Sequence, residues 1–189
     1  MTNIRSYSIP EFEEKAREFH GFAAPGIMLG GFMVELAYRH LPEEGLFDSI
    51  SETGKCLPDA IQILTPCSVG NGWLRIMDIG RYALTMYDKH SGEGVRVYVD
   101  TARLDDWPAI KDWFLNLKPK REQDTGQLLD EIKAAGTDIC GYRKIKVKLP
   151  LLSDGRNPAY AICSKCGESH PADDGDLCLG CQGKLPYSS

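Results

Sequence analysis

Two Cys-x-x-Cys pairs, Cys163/Cys166 and Cys178/Cys181, lie near the C-terminal end of this 189-residue chain, with eleven residues between them. A Cys-x-x-Cys loop presents two thiolates to one tetrahedral ion, and two such loops complete a closed four-thiolate shell. The spacing therefore predicts one structural zinc ion held by Cys163, Cys166, Cys178 and Cys181. Two redox dithiols or a disulfide pair are the competing reading. The absence of a secretory signal and the short, glycine-flanked pairs weigh against it. Gly167 and Gly180 are expected to supply the permissive backbone of the metal loops. His170 is a candidate fifth donor, but four thiolates already fill the shell, so it is expected at the surface.

Size explains why this segment needs a metal. From Ala161 onward the large apolar residues are Ile162, Leu177, Leu179, Leu185 and Tyr187, too few for a core. Zinc binding then supplies the folding free energy, on the order of 10–16 kcal/mol in zinc-finger peptides. The remainder is long enough for one medium domain, and an apolar content of 42% is enough for a real core. The reading is an α+β core domain over 1–155 and a four-cysteine zinc-finger domain over 156–189, joined through Ser153-Asp-Gly-Arg-Asn-Pro158.

Charge narrows the partners. The formal net charge is −5, and around the cysteines Glu168, Asp173, Asp174 and Asp176 outnumber Lys165 and Lys184. Zinc modules that grip phosphate backbones are usually basic, so a protein partner is favoured over nucleic acid. No stretch approaches the roughly 20 apolar residues of a membrane span. The apolar run near residue 30 is interrupted by Glu35 and Arg39. With Met1-Thr-Asn-Ile-Arg lacking an apolar signal region, the expectation is a cytoplasmic chain with no membrane contact.

The pattern of elements is mixed. Ser8, Pro10 and Glu11 mark a helix start, Phe12, Ala16, Phe19 and His20 share one face, and Gly21 is a stop. Pro25-Gly26 opens a second helix through His40, with Gly30 and Gly31 in its first turns. Interior glycines cost a helix roughly 1 kcal/mol each. They predict close approach of a ligand or, equally, a tight helix crossing. Phe47–Glu52 reads as a strand and Cys56–Leu64 as a short helix with Pro58 in its first turn. Strands follow at Trp73–Asp78, Tyr82–Tyr87 and Val95–Val99, the last two joined by the hairpin signal Ser91-Gly-Glu-Gly. Helices follow at Trp107–Leu117 and Asp124–Ala135. Residues 142–149 alternate Lys144, Lys146 and Lys148 with apolar residues, as a lysine-protected edge strand does. Helices and antiparallel strands in blocks predict an α+β fold with an antiparallel sheet.

Outside the cysteine pairs, chemistry-bearing residues cluster in two loops. One is His20-Gly-Phe-Ala-Ala-Pro-Gly26. The other runs from Cys56 through Asp59 and Gln62 to Cys67 and Asn71. His20, Cys56, Asp59, Gln62 and Cys67 are the candidate pocket residues. Cys67, in a glycine-rich loop, is expected to be an accessible thiolate, with His20 as a base or co-ligand. The backbone N–H groups from Val69 to Gly72 could form an anion nest. The plainer readings are a helix-end histidine and two small buried hydrophobes. No complete catalytic constellation is visible.

The same loops carry a family resemblance. His20-Gly-Phe-Ala-Ala-Pro-Gly-Ile-Met-Leu-Gly30 resembles the HGHxCPG-xxx-G segment of proteins similar to FmdE, the E component of formylmethanofuran dehydrogenase. Cys56-Leu-Pro-Asp-Ala-Ile-Gln-Ile-Leu-Thr-Pro-Cys-Ser-Val-Gly-Asn-Gly72 resembles that family's CxxDAxQxxTGCTxGxG segment, and Gly80-Arg-Tyr-Ala and Val95-Arg-Val continue the likeness. The resemblance implies an α+β core, commonly dimeric, followed by a treble-clef zinc finger. It also implies a link to a molybdenum or tungsten enzyme that fixes carbon dioxide onto methanofuran. Phe22 stands where the family has its second histidine, Ala24 where it has cysteine and Pro66 where it has glycine. A core metal site using positions 20, 22 and 24 is therefore disabled or rebuilt. The favoured expectation is a non-catalytic accessory protein with one zinc. The alternatives are an enzyme or metal carrier built around His20 and Cys67, and a nucleic-acid-binding zinc protein.

Overall fold

The computed structural model describes residues 3–42, 45–149 and 159–187. The chain forms two compact units, Met1–Leu149 and Pro150–Ser189. The linker segment 153–158 lies outside the described residues.

Helix α1 (Ile9–His20) starts where the Ser8 backbone N–H and hydroxyl both donate to the Glu11 carboxylate at 2.7 Å. Two donors at the helix start are thereby satisfied by one acidic side chain, which also complements the helix dipole. Gly21 ends α1 at φ 91°, its N–H donating to the Arg17 carbonyl. Phe12 and Ala16 are buried as their spacing predicts. Phe19 is 55% exposed, because the buried face of α1 ends with Ala16.

Helix α2 (Pro25–Arg39) is the centre of the core, buried almost all round from Gly26 to Val34. Its glycines decide the packing. A Cβ on Gly30 would sit 2.7 Å from the Ala60 Cβ, one on Gly26 would sit 2.8 Å from the Cys56 Cβ, and one on Gly31 would collide with the Phe12 ring. Ala60 belongs to α3 (Leu57–Leu64) and Cys56 precedes it. The space around the glycines is filled by other helices, so the tight-crossing reading holds at Gly30 and Gly31.

Five strands form one sheet: β1 (Phe47–Ser51), β2 (Leu74–Ile76), β3 (Ala83–Asp88), β4 (Glu93–Val99) and β5 (Cys140–Lys146). Their order is β2-β1-β3-β4-β5. All pairings are antiparallel except β1 with β2, which is parallel. A parallel partner needs a crossover, and α3 supplies it between β1 and β2. Leu84 and Met86 pair with Val97 and Val95, and all four are buried in the cluster that α2 fills. Strand β5 is an edge, with Lys144 and Lys146 exposed as expected. Helix α4 (Pro108–Phe114) is tied to α5 (Thr125–Ala135) through Glu131, whose carboxylate accepts from the Ala109 and Ile110 N–H groups. Among the described residues no helix is long and apolar enough to cross a membrane. The second unit holds a hairpin of β6 (Tyr160–Ile162) and β7 (Ser169–Pro171).

Candidate metal centre and core site

The hairpin and a following short helical turn bring the two cysteine pairs together. One donor sulfur from each of Cys163, Cys166, Cys178 and Cys181 lies within 4.8 Å of the others. The Cys166 and Cys178 Sγ atoms are 3.8 Å apart. A tetrahedral zinc with Zn–S bonds near 2.3 Å requires sulfur separations of roughly 3.8 Å. The four sulfurs thus form a donor set of the right number, type and approximate spacing for one zinc ion.

Backbone geometry prepares the loops. The Gly167 N–H donates to the Cys163 carbonyl at 2.9 Å, with Gly167 at φ 78°. The Cys178 N–H donates to the Cys163 Sγ and the Cys181 N–H to the Cys178 Sγ, each at 3.4 Å. The Ser164 N–H donates to the Asp176 carbonyl at 3.1 Å, joining the two knuckles. Gly180 does not adopt a left-handed conformation. Gly183 does, at φ 86°. Backbone donors from Cys166 and Cys178 pull the Cys163 thiol down to about 6. The neighbouring Cys166 thiol and burial push Cys181 up to about 12. Cys163 and Cys181 are thus pushed in opposite directions, and a cation that takes all four sulfurs as thiolates must displace protons.

His170 departs from the expected surface position. It is 4% exposed, and its Nδ1 faces the Pro171 carbonyl at 2.9 Å. Strand alternation is the cause: Ser169 is exposed and His170 turns to the buried face of β7.

In the larger unit the candidate residues separate into two groups at opposite ends of α3. At its start, the His20 Nδ1 meets the Asp59 Oδ2 at 2.6 Å. The final residue of α1 thereby docks on the first turn of α3. Cys56 precedes that turn at φ 52°, an uncommon conformation for a residue with a side chain. Burial, and then the Asp59 charge, push the Cys56 thiol up. The Tyr82 hydroxyl donates to the Gly26 carbonyl beside Cys56, and burial raises its ionisation well above the usual phenol range. In the sequence Tyr82 falls in a strand and a motif, but this contact is not legible there, because nothing local links a tyrosine to a partner 56 residues away.

At the far end of α3, Cys67 contradicts the expectation of an accessible thiolate. It is 1% exposed, and its Sγ donates to the Phe47 carbonyl at 3.3 Å. It is a buried hydrophobe with one weak hydrogen bond, and α3 separates it from the His20–Asp59 pair. Gln62 serves the loop, its Oε1 accepting from the Val69 N–H. The Asn71 N–H goes to Ser68 Oγ and the Gly72 N–H to the Val69 carbonyl, so with Val69 three of the four N–H groups of the expected anion nest are already bonded internally.

The two substituted positions border His20. The Phe22 ring lies 5.0 Å from the imidazole and is 59% exposed. Ala24 is buried at the start of α2. Among the described residues, the four cysteines are the one group of three or more clustered metal donors. His20, Asp59 and Cys56 do not form a second.

Comparison with known proteins fits this architecture. The family described as "FmdE, Molybdenum formylmethanofuran dehydrogenase operon" matches residues 19–146. The chain belongs to the FmdE family. The "FmdE treble clef zinc finger" matches residues 155–188, so the four-cysteine cluster is the zinc site of an FmdE finger. The crystal structure of a tungsten formylmethanofuran dehydrogenase FmdE-like protein from Syntrophus aciditrophicus is similar, with 48% identity and a TM-score of 0.92 over 100% of both chains. A "Probable S-adenosyl-L-methionine-binding protein" of Archaeoglobus fulgidus is 30% identical over 190 residues, covering 89% of this chain and 52% of its own length. This FmdE chain thus spans about half of that curated relative.

Proposed function

We propose that this FmdE protein is a non-catalytic, zinc-binding accessory protein. It works in the cytoplasm as a homodimer and assists a molybdenum- or tungsten-dependent formylmethanofuran dehydrogenase-type oxidoreductase. The observation that carries the reading is the combination of an FmdE core and finger with Phe22 and Ala24 in place of metal donors. The finger's acidic surface suits a protein partner better than a nucleic acid. In the test, the purified zinc-loaded chain is mixed with a purified dehydrogenase complex of this type and followed by size exclusion. Co-elution at fixed stoichiometry supports the reading; separate elution at micromolar concentrations overturns it.

A second reading has one specific support, the His20–Asp59 hydrogen bond. A carboxylate on Nδ1 fixes the imidazole tautomer and leaves Nε2 as the working nitrogen, as in proton-transfer and metal sites. In this enzyme or metal-carrier reading Cys56 replaces Cys67 as the nearby thiol. Alkylation with iodoacetamide separates the sulfurs. In folded, zinc-loaded protein, Cys56 is expected to react first. Cys67 and Cys140 should react only on unfolding, because both are buried and burial pushes the Cys140 thiol up to about 12. Rapid labelling of Cys67 would contradict its placement.

A further inference from the structure

A cleft of about 400 Å³ opens on the sheet of the larger unit; neither His20, Asp59 nor Cys56 lines it, and Tyr82 is the one residue it shares with the core site described above. Arg81, Tyr82, Arg96, Tyr98, Phe114 and Arg143 line it, and no acidic residue does. In a chain of net charge −5 this is a marked local excess of positive charge.

Register makes the arrangement costly. Arg96 on β4 stands directly opposite Arg143 on β5. Like charges at such positions destabilise a sheet. Glu52 answers only one of them, accepting from Arg96 Nε at 2.6 Å and Nη2 at 2.7 Å. Among the described residues, neither Arg143 nor Arg81 has an ion pair. The guanidiniums of Arg96 and Arg143 lie 5.5 and 5.4 Å from the Tyr98 ring centroid, one phenol serving both cations. Arg81 is held at the rim by its backbone. Its N–H donates to the Glu52 carbonyl at 3.2 Å, after a turn in which the Gly80 N–H reaches Asp78 Oδ1 at 3.3 Å. The Arg81 and Arg143 side chains are exposed and Arg96 is half-buried, so three guanidiniums face the same opening and, among the described residues, only Arg96 is neutralised by a carboxylate.

We infer that this cleft binds a small organic oxyanion, a carboxylate or phosphate ester carrying a planar apolar group. Guanidinium forks match both oxyanions in bidentate fashion. Tyr98 and Phe114 offer ring surface to the planar part. The inference rests on the core unit alone and is independent of the accessory reading.

Calorimetric titration of the full zinc-loaded chain tests it, using phenyl phosphate, benzoate and, as a neutral control, phenol. One of the two anions is expected to saturate with Kd below about 1 mM, which also tells phosphate from carboxylate, while phenol gives no saturable heat. Arg143→Gln and Arg81→Gln should each weaken binding about tenfold or more. Arg121→Gln, at an exposed pair with Glu122 elsewhere, should leave it unchanged. Ligand-free Arg143→Gln should melt no lower than the parent, because a repulsion has been removed. If that variant fails to fold, the arginine pair is structural and the inference falls for Arg143; Arg81→Gln, on a loop, then decides whether a site exists. No saturation by either anion below about 10 mM, or equal weakening by Arg121→Gln, overturns the proposal.

Discussion

Cys178→Ser is expected to empty the finger of zinc and unfold the segment around β6 and β7 while leaving the larger unit folded. Cys178 contributes one of the four clustered sulfurs, and that sulfur also accepts the Cys181 N–H. Its loss opens the shell and releases a backbone contact together. The segment has little else to hold it, since Ile162, Leu179, Leu185 and Tyr187 are all exposed. Apparent zinc-binding energies of about 10–16 kcal/mol in finger peptides are therefore close to the whole stability of such a unit. Metal analysis should fall from one zinc per chain to near none. Limited proteolysis should then cut beyond residue 159 and spare Met1–Leu149. Retention of stoichiometric zinc with unchanged protease resistance would rule out the four-thiolate site.

Gly30→Val is expected to lower the stability of the larger unit by about 3 kcal/mol, at the upper end of overpacking effects. The added Cβ would lie 2.7 Å from the Ala60 Cβ and 3.2 Å from Leu57 Cδ1. Ala60 has no side-chain freedom with which to yield, so relief requires moving α2 away from α3. Urea unfolding should show a clear drop in midpoint with an unchanged slope. Gly70→Ala, where an added Cβ meets nothing within 4 Å, should stay within about 0.5 kcal/mol of the parent. An undiminished midpoint in Gly30→Val would falsify the close α2–α3 crossing.

Local rules wrote much of this molecule. The Cys-x-x-Cys spacing specifies a metal loop because the two donors lie within one turn of chain, and no distant contact is needed to bring them together. Pro25, Pro58 and Gly21 mark helix ends for the same reason, and the Ser91-Gly-Glu-Gly hairpin sets β3 beside β4. The glycines of α2 announce a close approach from sequence alone. The likeness of the His20 and Cys56 segments to FmdE motifs is legible too, because those motifs are contiguous.

Tertiary packing alone decided what could not be local. The hydrophobic pattern does not say which side chain reaches His20 from 39 residues away, and the answer, Asp59, depends on α1 docking on the first turn of α3. Cys67 looks reactive because its loop is rich in turn residues, yet turn residues describe the backbone path and not the direction of one side chain. The chain folds that thiol inward against Phe47, out of reach of solvent. Arg96 and Arg143 lie far apart in sequence and become neighbours only through β4–β5 register. The sequence by itself determined the zinc finger, because its donors need only short loops. The tertiary structure decided the core site, because its donors meet only after the helices and sheet have packed.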